Sequence, residues 1–181
     1  MHFRRLAALA TGTMVAGVLS CAAAFAQQAP EGQTGPVAGD AGFMNSAWAS
    51  NRSEIDEAQT ALKVSQNPAV RAFAQRMIQD HSLGLSQVEA MSKTKGISLS
   101  RQPTTQQQAE ATNLQNLSGE QFDYQYARDQ IRDHLVAIDV FQKEMSSTGD
   151  LDIRNLAANT LPMLKDHLRL ARSLESQVGG Q

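Results

Sequence analysis

Of the four histidines in the sequence, three follow an aspartate: Asp80-His81, Asp133-His134 and Asp166-His167. Their surroundings echo one another, as Met77-Ile78-Gln79-Asp80-His81, Gln130-Ile131-Arg132-Asp133-His134 and Met163-Leu164-Lys165-Asp166-His167. Each histidine falls on an apolar stripe at helical spacing. One stripe reads Val70, Ala74, Met77, His81, Val88. A second reads Ala127, Ile131, His134, Ile138, Phe141, and a third Ile153, Ala157, Leu164, His167, Ala171, Leu174. A fourth stripe, Phe43, Ala47, Glu54, Ala58, Ala61, carries a carboxylate instead. One ionisable side chain on each of four helices therefore points inward. Three imidazoles and a carboxylate are a donor set for one divalent transition ion such as Zn, Cu, Ni or Fe. The same four groups could instead hydrogen-bond one another and fix the register of the helices without metal. Asp80, Asp133 and Asp166 lie about 100° around each helix from their histidines. They are either partners for an imidazole on a neighbouring helix or surface charges.

Convergence requires equal heights. Glu54 stands 13 residues before Asn67 and His81 stands 14 after it. An antiparallel hairpin turning there puts both ~20 Å from the turn. His134 is 15 residues before Gly149 and His167 is 18 after it, an offset of ~4.5 Å. The spacing predicts a central polar layer of Glu54, His81, His134 and His167.

The elements that must carry this layer are four long helices. The first spans about Ala41 to Ser65. Asn67, a good N-cap, and Pro68, suited to the first helical position, start the second. It runs to about Lys95, where Gly96 closes it. Ser118 with Gln121 reads as a capping box for the third, which stops at Gly149. The fourth spans about Leu151 to Gln177, with Pro162 expected to free the Ala158 carbonyl and kink the axis. No stretch alternates with period two, so no strand is expected. Two tight turns make two hairpins, and the connection between them, Ile97 to Leu117, is long and holds a short helix around Thr105 to Asn116. Short, long, short is the loop pattern of an all-α, ferritin-like four-helix bundle with a long crossover between the second and third long helices.

The first residues have a different character. Arg4 and Arg5 precede an apolar run from Leu6 to Leu19, and Ala24-Phe25-Ala26 offers small residues at a cleavage site. This is the layout of a secretory signal, residues 1–26, followed by a Gln-, Pro- and Gly-rich flexible leader, 27–39, and a bundle domain, 40–178. The expected location is the periplasm or outside the cell. Val18-Leu19-Ser20-Cys21 resembles a lipid-attachment motif, so a lipoprotein anchored through Cys21 is the alternative. The run is about 14 residues, short of the ~20 a spanning helix needs, and the mature chain has no transmembrane segment. After Ala26 there are 14 basic and 18 acidic residues, a net charge near −4, which argues against nucleic acid as a partner. The sequence names no protein partner. No nucleophile set or phosphate-cradling glycine loop is present, so catalytic residues are not assigned.

Three stretches carry a family resemblance: Phe73-Ala74-Gln75-Arg76-Met77-Ile78-Gln79-Asp80-His81, Ser118-Gly119-Glu120-Gln121-Phe122-Asp123 and Leu161-Pro162-Met163-Leu164-Lys165-Asp166-His167. From about Asp40 to Leu174 the chain resembles the exported bacterial family catalogued as domain of unknown function 4142, assigned to the ferritin-like superfamily. The resemblance implies fold and export and no established activity. It departs from di-iron ferritin-like proteins, which use two Glu-x-x-His pairs, because Ile78, Ile131 and Leu164 stand three residues before the histidines. A two-iron oxidase site is not expected. The sequence-based expectation is a cell-envelope protein that holds one divalent transition ion in the Glu/His layer, or a structural or stress-related envelope protein with no metal. A redox or peroxide-handling enzyme would need an open coordination position that no motif marks.

The signal layout makes one prediction. Intact-mass measurement on envelope material should give a chain starting at Gln27; a diacylated chain starting at Cys21 would make this a lipoprotein.

Overall fold

The structure is a computed structural model that describes residues 39–179; the segments expected to form a signal sequence and nearly all of the expected leader lie outside them. Five helices follow in order: α1 Asp40–Val64, α2 Pro68–Lys95, α3 Thr105–Gln115, α4 Gly119–Ser147 and α5 Leu151–Val178. The described residues are all-helical with connecting turns. None of the described helices is long and apolar enough to cross a membrane.

The helix ends follow local chemistry. The Asn67 side chain accepts from the Ala69 amide at 2.9 Å, with Pro68 in the first turn, and Gly96 ends α2 at φ 67°. Only glycine takes that left-handed conformation without strain. Asp150 accepts from the amides of Asp152 and Ile153 to start α5, which continues without a break through Pro162. The start of α4 corrects the sequence reading: Ser118 makes no side-chain cap. Gly119 there has φ 57°, and the chain enters the helix through this left-handed residue, out of the geometry in which a hydroxyl reaches the amide three residues on. The capping box is found instead at α3, between Thr104 and Gln107.

The closest helix pairs are α1 with α2 and α4 with α5, while α1 also faces α4 and α2 faces α5. α3 lies against α1 and α4. The apolar core is divided. One cluster joins Ala58 and Ala61 near the end of α1, Val70 and Phe73 near the start of α2, Phe122 and Tyr126 near the start of α4, and Ala171 and Leu174 near the end of α5. The other joins Phe43 and Ala47 of α1, Val88 of α2, Phe141 of α4 and Ile153 and Ala157 of α5. Both α2 and α4 thus lead from the first cluster to the second. The connection between them starts beside the second cluster and returns to the first, with Leu114 of α3 buried in that first cluster on the way. Between the clusters every long helix places polar side chains in the interior: Asn51 and Glu54, His81, Gln130 and His134, and His167.

A candidate metal centre of three imidazoles

His81, His134 and His167 are buried to 2%, 1% and 0% exposure. They come from α2, α4 and α5, and their ring centroids are 5.2 to 5.6 Å apart. One nitrogen from each lies within 4.8 Å of the others. The outer nitrogens define which atoms face inward. His134 Nδ1 is 2.8 Å from the Gln130 carbonyl; a carbonyl only accepts, so Nδ1 carries the proton and Nε2 keeps its lone pair. His167 Nε2 is 2.9 Å from an Asp80 carboxylate oxygen, so it donates and Nδ1 is bare. His81 Nδ1 is 3.1 Å from Asn51 Oδ1. The Asn51 amide nitrogen donates to the Ala47 carbonyl at 2.7 Å, which leaves Oδ1 as the acceptor. His81 Nε2 is therefore bare, and it is buried with no hydrogen-bond partner.

Three lone pairs thus converge. The 3.3 Å approach of His134 Nε2 to His167 Nδ1 brings two acceptors together with no proton between them in the neutral rings. A proton or a cation in the centre would relieve it. Burial disfavours the proton: it pushes His81 well below its usual range, aided by the neighbouring imidazoles. It takes His134 to about 4 and lowers His167 as well, although Asp80 works in the opposite direction. Neutral imidazoles with one nitrogen tied to an oxygen acceptor and the other free are the form in which histidine binds a metal ion.

Asp80 is placed as one sequence alternative had it, as the partner of an imidazole on another helix. Burial acts to raise its carboxyl, but hydrogen bonds from Arg76 and His167 outweigh that and hold it below the usual range. Asp133 and Asp166 are not placed so. Both lie beside an arginine on their own helix, Asp133 paired with Arg132 at 3.0 Å and Asp166 with Arg169 at 2.7 Å, and neither contacts an imidazole. Glu54 also stands outside the trio. Its Oε1 lies 3.7 Å from His134 Nδ1, the nitrogen already committed to Gln130, and its Oε2 accepts from the Gln130 amide at 2.6 Å. The four-residue layer expected from the sequence divides into three converging histidines and a carboxylate behind one of them.

Glu54 belongs to a second polar group, which sequence reasoning missed. Gln130 Nε2 also lies 3.3 Å from Glu57. Arg132 pairs with Asp129 at 2.6 Å, Asp133 at 3.0 Å and Glu110 of α3 at 3.0 Å. Burial and the adjacent carboxylates push Glu54 well up, Glu57 to about 8, and Asp133 to about 6. Asn51 and Gln130 were also unassigned, although helical spacing offered a signal: Asn51 is three residues before Glu54 and Gln130 four before His134, each on the same stripe.

The family described as "Domain of unknown function (DUF4142)" matches residues 25–174. No curated protein matches the chain. Two solved structures share its fold. A DUF305 fragment from Deinococcus radiodurans is 21% identical, with TM-score 0.67, over 78% of this chain and 95% of that one. The structure of CopM in the Cu(II)-bound form is 15% identical, with TM-score 0.65, over 76% of this chain and 95% of that one. At these identities the likeness is one of helical fold.

Two predictions follow from the geometry. A Cβ on Gly84 would lie 2.5 Å from Asn51 Oδ1, so Gly84→Ala must move the acceptor that orients His81. Despite the ~0.5–1 kcal/mol by which alanine favours a helix interior, the variant should be less stable by about 1 kcal/mol, the cost of an unsatisfied buried group being larger. Chemical denaturation checks this, and in an Asn51→Ala background the penalty should vanish.

The second concerns pH in the metal-free protein. Unfolded histidine titrates near 6.5 and folded His134 near 4, so below pH 6.5 the unfolded chain binds protons that the fold refuses. Stability is lost as pH falls from about 6.5 towards 4. Glu57 acts the other way: its proton is held in the fold up to about 8 but released by the unfolded chain near 4.5. That contribution is complete below 4.5 and is lost as pH rises towards 8. Between about 4.5 and 6.5 the two contributions oppose each other, and above 6.5 the Glu57 loss acts alone of the two. The melting temperature in chelator should therefore fall as pH rises from about 6.5 towards 8. Glu57→Gln should reduce that fall and steepen the loss of stability below 6.5.

Proposed function

The chain belongs to the family described as Domain of unknown function (DUF4142), and we propose that it is an exported cell-envelope protein that binds one divalent transition ion through His81, His134 and His167. The observation that carries this is the convergence of three buried imidazole lone pairs, one of them on His81 Nε2 without any partner. Three neutral nitrogens suit Zn or Cu(II) and leave coordination open to a further ligand. Asn51, the Gln130 carbonyl and Asp80 orient the rings from outside. The Asp80 carboxylate supplies negative charge that a cation at the centre would feel through His167. The fold-sharing protein whose structure is described as Cu(II)-bound makes copper the first ion to test.

Export rests on the signal layout of residues 1–26, with the lipoprotein form through Cys21 as its variant. We further propose a ferritin-like arrangement with a long crossover between α2 and α4. Support comes from the shared direction of these helices and the return of the 96–118 connection along the bundle. Tightly bound metal suits a binding or handling role, and no catalytic residue is assigned.

Melting curves of the mature protein, with Cu(II), with Zn and with chelator, test the reading. A site occupied at about 100 times its dissociation constant should add ~2.7 kcal/mol to stability. His81→Ala should abolish that gain. Asp80→Asn should weaken binding by about 10- to 100-fold while leaving the three ligands in place. Affinity should hold through pH 6.5 and weaken as pH falls towards 4, where His134 takes up a proton, because the imidazoles must be neutral to bind. Superimposable curves with metal and with chelator would sink metal binding and leave a hydrogen-bonded structural layer.

A further inference from the structure

The imidazole centre is closed to water, but its enclosure is not equally thick on every side. His81, His134 and His167 are each at most 2% exposed, so an ion reaches them only by displacing something. Two of the residues that hold the rings from outside are shut in as well: Asn51 is 6% exposed and Gln130 is wholly buried. The third is not. Asp80 of α2 has a side chain 20% exposed, and its Oδ2 meets Nε2 of His167 on α5 at 2.9 Å. Arg76, one turn earlier on α2, donates to the same Asp80 oxygen from a side chain that is about half exposed. The guanidinium also faces α5, where its Nη2 is 3.8 Å from Asp166 Oδ2. Asp166 holds Arg169 through its other oxygen, Oδ1, at 2.7 Å. A small swing would therefore carry Arg76 onto Asp166 Oδ2 at full hydrogen-bond distance.

We propose that this seam between α2 and α5 is the port through which a metal ion enters and leaves the imidazole centre, with Arg76 as its latch. The proposal rests on that centre binding an ion. In the closed state Asp80 Oδ2 holds both the His167 ring and the guanidinium. His167 turns Nε2 towards Asp80 and Nδ1 towards His134 Nε2, 3.3 Å away. Its ring is thus the last barrier between the surface and the bare nitrogens. Opening begins when Arg76 moves from Asp80 to Asp166. Asp80 is left as a partly exposed carboxylate with one cation fewer, and it attracts a hydrated ion. The ion takes the place of the guanidinium, the hydrogen bond from His167 breaks, and the ring turns aside. Inside, His81 Nε2 is buried without a partner and receives the ion. The ring then returns, with Nδ1 as a further ligand. One cation replaces another at Asp80, so the carboxylate is never left bare. Entry past His81 or His134 would instead break a hydrogen bond deep in the bundle, where no water compensates its loss.

A latch changes rates more than affinity, and this separates the port from the site behind it. The mature protein, freed of metal, is mixed with Cu(II) by stopped flow. Uptake is read from quenching of Trp48, the single tryptophan, and release from transfer to excess EDTA, while calorimetry gives the equilibrium affinity. Arg76→Gln should raise the association and dissociation rate constants together, each by about tenfold, with Kd changed by less than about threefold. Asp166→Asn removes the seat to which Arg76 swings and should slow both rates. Arg52→Gln is the control: Arg52 pairs with Asp56 four residues on, at similar exposure, on the first helix, and its rates should match wild type. The port is overturned if Arg76→Gln keeps the wild-type rates. It is also overturned if only dissociation quickens, since Arg76 would then do no more than orient Asp80. Equal acceleration in Arg52→Gln would overturn it too, by making the effect one of overall charge. If calorimetry shows no Cu(II) bound to the wild type, the metal centre itself fails and the port with it; normal binding with unaltered rates in Arg76→Gln sinks the port alone.

Discussion

The structure turns on the hydrogen bonds that hold the far side of each imidazole. A buried histidine has two nitrogens to satisfy, and here one of them always meets a fixed oxygen: Asn51 Oδ1, the Gln130 carbonyl or Asp80. These acceptors sit on the periphery, so the rings present their unprotonated nitrogens to one another. Without them the rings could exchange tautomers and hydrogen-bond among themselves, and the centre would be satisfied by protein alone. Second partners set the position of two acceptors. Asn51 is held by Ala47 and crowded by the bare backbone of Gly84, and Asp80 is held by Arg76.

That inner layer is costly to bury, because polar groups lose water and gain only partial compensation. The apolar clusters at each end supply what the middle does not. Phe43 packs edge-on against Phe141 at one end, and Phe73 against Tyr126 at the other. Such pairs add to the burial of large rings. Helices this long, with only modestly apolar faces, owe most of their stability to such packing. The polar layer contributes specificity of register: sliding α5 by a turn would place His167 towards an apolar cluster and Leu164 or Ala171 opposite Asp80.

Much of this was legible in the sequence, for identifiable reasons. Asn67-Pro68 and Gly96 mark helix ends through backbone constraints that need no tertiary context. The histidines were visible because each interrupts an apolar stripe, and a helix fixes side-chain direction to within its 100° step. The ring tautomers were not visible, since they depend on acceptors contributed by other helices or by the main chain. Nor was the exclusion of Glu54 from the trio: height and facing are sequence properties, but the ownership of a particular nitrogen is settled by Gln130, whose amide and carbonyl serve both groups. Ser118 failed as a cap because Gly119, next to it, takes a left-handed turn that the motif alone does not reveal. Glu110 lies on a helix with no apolar stripe, so no periodicity could place it.

The histidines are unevenly distributed between the two hairpins. His134 and His167 belong to the α4–α5 hairpin, while His81 and the asparagine that orients it belong to the α1–α2 hairpin. Asp80, which fixes the tautomer of His167, also comes from the α1–α2 hairpin. One hairpin alone therefore presents two imidazoles with one ring free to flip, and the other presents a single imidazole. The three-nitrogen centre comes into being only as the hairpins dock, at the end of any folding route in which the local turns form first. The same division ties release to assembly: a fluctuation that parts the hairpins removes a ligand and an orienting carboxylate in one motion, while either hairpin stays internally intact.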